Sequence, residues 1–106
     1  MSDFVMVYVT TASRVEAEKI AQVLLDERLV ACVNIVGPVF SLFHWEGGVD
    51  SVEEYLMIMK TRESLFTVLE KRVGALHSYE VPEIIAVPIV AGSVAYFDWL
   101  ACTLPR

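Results

Sequence analysis

The chain has 106 residues, 56% of them hydrophobic, with a mean hydropathy of +0.55 and a formal net charge of −6. That length corresponds to one domain, residues 1–106, and the acidity, with no Lys/Arg cluster, excludes binding to nucleic acid or an anionic membrane, which rests on neutralised phosphates. No apolar stretch approaches the roughly 20 residues of a spanning helix, so the apolar excess, hard to hide in so small a monomer, predicts cover by another subunit.

Residues 4–9 form a continuous apolar run, the pattern of a strand buried on both faces. Thr10-Thr11-Ala12 reads as the turn that follows. Ser13 and Glu16 make an S-x-x-E capping box, in which each side chain satisfies a free backbone N–H. A helix opens at Arg14, with Ala17, Ile20, Ala21, Leu24 and Leu25 on one stripe, and ends near Asp26-Glu27-Arg28.

Residues 30–36 are a second strand, interrupted by Gly37-Pro38 and continued after a bend over 39–45. Glu46-Gly47-Gly48-Val49-Asp50 is turn chemistry, and 53–60 is a third strand. Two long strands around a glycine turn predict a hairpin extending beyond the body. Thr61-Arg62-Glu63 opens a second helix along Leu65, Leu69, Val73 and Leu76, with Gly74 as an imperfection. Glu63 near its start and Lys71 and Arg72 in its last turns suit the helix dipole. Residues 84–90 are a fourth strand, which Pro88 marks as an edge or a bulge. Gly92-Ser93 starts a short helix with Tyr96, Phe97, Trp99 and Leu100. The order βαββαβ plus a C-terminal helix predicts an α+β, ferredoxin-like sandwich, a fold that licenses no function by itself.

The start, Met1-Ser2-Asp3-Phe4, shows no basic n-region or cleavage pattern and reads as mature and cytoplasmic. Cys32 and Cys102 lie far apart, outside any zinc-type spacing, and read as buried or incidental thiols. The chain has no GxSxG elbow, no phosphate-cradling loop and no evident acid–base pair, so a binding protein is expected rather than an enzyme.

The run His77-Ser78-Tyr79-Glu80-Val81-Pro82-Glu83-Ile84-Ile85 concentrates polar chemistry where a helix gives way to a strand. His77, Glu80 and Glu83 offer an imidazole and two carboxylates, donors that suit copper, zinc or nickel. The structural alternative is that His77 caps the preceding helix while Glu80 and Glu83 pair with Lys60 or Arg72. Lys60, at the end of a strand, presents an ammonium to a cleft or to solvent. His44 and Trp45, on the hairpin, read as surface or packing residues.

Several segments together resemble the CutA family of divalent-cation tolerance proteins. They are Leu29-Val30-Ala31-Cys32-Val33-Asn34, the stretches 41–47, 54–61 and 92–100, and the H-x-Y-E-x-P-E block at 77–83. The resemblance covers essentially the whole chain. It implies a homotrimer like that of PII signalling proteins, hairpin strands paired across subunits, and clefts between neighbours. Some members of the family bind copper. Carried onto this chain, the metal would be a divalent ion such as Cu2+, held by His77 and Glu80. Departures are Ser78 in place of the usual proline, Phe43 in place of a tyrosine, and Thr10 and Leu76 where copper-linked members carry Cys and His.

Three readings follow. The first is a trimeric divalent-cation tolerance protein binding metal through His77 with Glu80 or Glu83. The second is a PII-like module binding a small molecule or a protein partner in an inter-subunit cleft lined by Trp45, Lys60, Tyr79, Glu80 and Glu83. The third is a scaffold whose trimer is itself the functional unit.

Overall fold

The computed structural model describes residues 3–106; Met1 and Ser2, part of the N-terminus read above for a leader, lie outside the described residues. The elements are β1 (Phe4–Thr11), α1 (Arg14–Asp26), β2 (Cys32–Trp45), β3 (Gly48–Arg62), a 3-10 turn (Glu63–Leu65), α2 (Phe66–Leu76), β4 (Ile84–Pro88) and α3 (Val94–Thr103). The strands form one sheet in the order β2-β3-β1-β4, every neighbouring pair antiparallel. This is the predicted split βαβ arrangement.

β1 alternates between buried and half-open positions rather than being buried on both faces. Helices α1 and α2 cover only one face. There Val5, Val7 and Val9 pack with Ala17, Ile20 and Leu24 of α1, Met57 and Met59 of β3, and Leu69 and Val73 of α2. Each fully buried aliphatic side chain contributes about 1.5–3 kcal/mol. On the opposite face α3 covers one end of the sheet, where Phe4, Ala31, Leu100 and Leu104 form a second cluster. Arginines fasten the C-terminal end of α3: Arg62 donates to the Pro105 and Ala101 carbonyls, and Arg28 to that of Thr103. The rest of that face is open along Met6, Tyr8, Val36, Leu56 and Ile58, aligned by register.

The strands run longer than the sequence predicts. β1 takes in Thr10 and Thr11, paired with Leu56 and Tyr55. β3 begins at Gly48 and ends at Arg62, so Thr61 and Arg62 belong to the sheet and not to the helix. Lys71 and Arg72 lie before the last turn of α2; Arg72 instead forks onto Glu27 at 2.8–3.0 Å, joining α2 to α1. β4 stops at Pro88, on the edge of the sheet, where a missing donor is tolerated. Cys102 is exposed and Cys32 half-buried, so neither thiol is sealed in the core.

β2 is continuous through Gly37-Pro38 by way of a bulge. Val36 pairs with Leu56 and Val39 with Glu54, so two residues oppose Tyr55 alone. A Cβ at Gly37 would overlap the Tyr55 ring, which explains glycine there. The molecule measures 45 × 26 × 22 Å, its length set by strands of 14 and 15 residues. Phe40, Leu42, Trp45 and Val49 on this hairpin are exposed.

Candidate functional site

The segment 77–83 crosses the end of β1 and is held by three ties. The first is the His77 ring. Its side chain is fully buried, and Nε2 lies 2.7 Å from the Thr10 carbonyl oxygen. Nδ1 accepts the Tyr79 N–H at 3.0 Å. Because Nδ1 accepts, the proton sits on Nε2 and is donated to Thr10. The His77 N–H also caps α2 by donating to Val73 O.

Glu16 is the second tie. The Ser13 hydroxyl accepts the Glu16 N–H, as the capping box predicts, but the Glu16 carboxylate returns to the Ala12 N–H and not to that of Ser13. The same carboxylate accepts the Ser78 N–H at 2.7 Å and the Ser78 hydroxyl at 3.0 Å. Burial pushes the Glu16 pKa up, yet the Ser78 donors, the nearby His77 and the Ala12 N–H together hold it below the ordinary carboxylate value. Ser78 supplies two of these donors, of which a proline, having no N–H, could supply neither.

The third tie is Tyr79, whose phenol donates to Glu54 Oε2 at 2.7 Å. Burial, then the hydrogen bond to Glu54 and its charge, push the Tyr79 pKa up to about 12. Glu54 is only 5% exposed, unusual for a carboxylate.

Beyond these ties lies a groove of about 710 Å³ between the hairpin and the segment 77–83, running from Glu54 to Trp45 beside the turn. Phe43, Trp45, Asp50 and Glu54 from the hairpin meet Tyr79, Glu80 and Glu83 around it. Four of the five predicted cleft residues, Trp45, Tyr79, Glu80 and Glu83, therefore share one groove within a single chain. Lys60 does not. It stands six residues along β3 from Glu54, roughly 20 Å away at strand rise. Its ammonium donates to Asn34 Oδ1 at 3.3 Å and sits 3.6 Å from Cys32 Sγ and 5.9 Å from the centre of the Tyr96 ring. Burial lowers the Lys60 pKa, but Cys32 and Tyr96 outweigh it and leave it raised. Lys60 and Arg72 thus find partners other than Glu80 and Glu83.

The donor set expected for a divalent metal does not fit the geometry of one chain. Both His77 nitrogens are engaged, the ring is sealed from solvent, and His77 does not line the groove that Glu80 faces. Among the described residues no three His, Cys, Asp or Glu side chains are grouped so as to hold a metal ion. Sequence reasoning passed over Glu54 as a site residue. Its signal was a carboxylate at a position whose strand parity faces the groove, masked by the adjacent Glu53.

Comparison with known proteins then gives a consistent result. A family model described as CutA1 divalent ion tolerance protein matches residues 5–103. A chloroplastic CutA protein of Arabidopsis thaliana is 48% identical over 96 residues, and the chain covers 53% of its length. For the rice protein CutA 1, also chloroplastic, the identity is 45% and the share covered 54%, so the chain spans about half the length of these plant relatives. The divalent-cation tolerance protein CutA of Thermus thermophilus is 46% identical over 95 residues, which are 90% of this chain and 92% of that protein. Among solved structures, CutA1 from Oryza sativa superposes with a TM-score of 0.94 at 42% identity, covering 97% of this chain and 94% of the other. The Thermus thermophilus structure gives 0.93 at 43%, covering 96% and 99%.

Proposed function

The chain belongs to the CutA1 family of divalent-ion tolerance proteins, and on that premise we propose that it acts in divalent-cation tolerance as a homotrimer, by binding and not by catalysis. The observation that carries the trimer is the open sheet face. Met6, Tyr8, Leu56 and Ile58 lie on the two central strands with no helix over them. The same face continues onto the hairpin with exposed Phe43 and Trp45. A contiguous apolar surface of this kind belongs at a contact between proteins, and copies related by a closed symmetry cover it without leaving an edge. In this reading divalent ions meet exposed carboxylates such as Glu80, and the His77 ring serves the fold. Light scattering should give three times the chain mass of 11.9 kDa; a monomer would overturn the assembly. Expression in a bacterium sensitive to divalent ions should raise survival in Cu2+, and unchanged survival would remove the tolerance role.

A second reading is favoured by the groove: a PII-like module that takes a small molecule and has no metal role. Its residues converge, its volume falls within the range of ligand sites, and it holds a buried carboxylate.

A further inference from the structure

Independently of what the protein binds, we infer that His77 is an acid-operated latch: a proton taken up at Nδ1 detaches the ring from the Tyr79 N–H and turns it to the Glu16 carboxylate, freeing the Tyr79 backbone while Ser78 stays tied to Glu16. The ring leaves one place for that proton. Nε2 lies 2.7 Å from the Thr10 carbonyl, which can only accept, so Nε2 carries a hydrogen whether the ring is neutral or charged. Nδ1 holds the Tyr79 N–H at 3.0 Å through its lone pair. Once Nδ1 is protonated, two donors face each other and that bond is lost. The next acceptor is already in place, because Glu16 Oε2 stands 3.7 Å from Nδ1, just beyond hydrogen-bond length.

Imidazole is the side chain that changes charge between about pH 5 and 8, and the groups facing this ring hold their own charge over that range. Glu16 of α1 is the acid beside it. Burial raises the Glu16 pKa, but the Ser78 donors, the charge of His77 and the Ala12 N–H together leave it lowered, so Glu16 is a carboxylate before the ring gains its proton. Tyr79, its ring centre 4.8 Å from that of His77, stays a neutral phenol, with Glu54 of β3 behind it as the acceptor of its O–H. β1 offers the Thr10 carbonyl and no charged side chain. α2, which His77 caps, presents the negative end of its dipole. The ring is sealed from water, so it exchanges one protein partner for another and not for solvent. The ties on the segment 77–83 therefore open in a set order. The Tyr79 backbone goes first, while Ser78 on Glu16 and the phenol on Glu54 remain.

The test is a pH titration of the assembled, nitrogen-labelled protein by NMR. The His77 Nδ1 resonance should move from its unprotonated to its protonated position while Nε2 stays protonated, with exposed His44 as the comparison ring. Along the same titration curve the Tyr79 amide should lose about tenfold or more of its protection from hydrogen exchange, corrected for the intrinsic effect of pH, and the Ser78 amide should keep its own. His77→Asn places an acceptor near the Tyr79 N–H with no proton to gain, and should abolish the response. Should that variant fold poorly, Glu16→Gln removes the counter-ion and should move the His77 midpoint to lower pH. A ring that stays neutral until the protein unfolds, a Tyr79 amide indifferent to the charge on the ring, a response that persists in His77→Asn, or a midpoint unmoved by Glu16→Gln overturns the latch.

Discussion

Tyr79 reaches across from the segment after α2 to donate its phenol to Glu54 of β3 at 2.7 Å, joining two residues 25 positions apart at the floor of the groove. The bond forms to a carboxylate only 5% exposed, where a charge-assisted hydrogen bond is worth about 1.5–3 kcal/mol.

Replacing Tyr79 by Phe should cost about that much in chemical denaturation. The pH dependence has a definite sign. The folded pKa, about 12, lies above the ordinary value of 10.0, so the stability this phenol supplies is complete below pH 10 and is lost as pH rises through 12. Alkaline titration at the phenolate absorbance should show a step near 12 in the native protein that Tyr79→Phe lacks.

His77→Ala should destabilise the fold while leaving metal affinity unmoved. The substitution strands the Thr10 carbonyl and the Tyr79 N–H, each costing about 1–3 kcal/mol when buried and unpaired. Calorimetry with Cu(II) on the variant should match the parent. A selective loss of copper binding with stability intact would reverse the role assigned to this ring.

Glu16→Gln should lower stability at neutral pH by about 1–2 kcal/mol through weaker contacts to Ser78 and Ala12. The carboxyl pKa is lowered in the fold. Its contribution is therefore fully present above the ordinary value of 4.5 and disappears as pH falls through the lowered one. Acid denaturation curves of variant and parent should converge at low pH; curves that stay apart would contradict the assignment.

Ile58→Glu places a charge in the middle of the open face, beside Tyr8. Light scattering should show smaller species, because a desolvated, unpaired charge at an interface costs several kcal/mol. A variant that keeps its mass would mean that this face is not the contact.

Much of the fold is legible in the sequence because local signals and tertiary demands agree over α1 and α3. Ser13 and Ser93 both cap as their hydroxyls predict. The hairpin is where they disagree. Gly48, Asp50 and Ser51 are poor strand formers, yet pairing with Trp45, Phe43 and Leu42 draws them into β3. The groove is half legible. The 77–83 motif announces Tyr79, Glu80 and Glu83, but the sequence does not show that His77 turns inward onto the Thr10 carbonyl. Nor does it show that Lys60, though spaced like a cleft residue, points to Cys32 and Asn34 instead.

The bulge at Gly37-Pro38 adds one residue to β2 and so reverses the parity of everything beyond it. Before it, even-numbered side chains such as Asn34 and Val36 share the face of Leu56; after it, odd-numbered Ser41, Phe43 and Trp45 do. The distal strand thus carries two interleaved alphabets, one on the face of Glu54 and Leu56 and one, Phe40, Leu42 and His44, on the other. Flattening the bulge into a regular ladder would exchange them in a single step, putting Phe40, Leu42 and His44 where Ser41, Phe43 and Trp45 stand without altering any residue. Gaining or losing the bulge is therefore a route by which chains of this architecture can change what their groove recognises while the core beneath stays as it is.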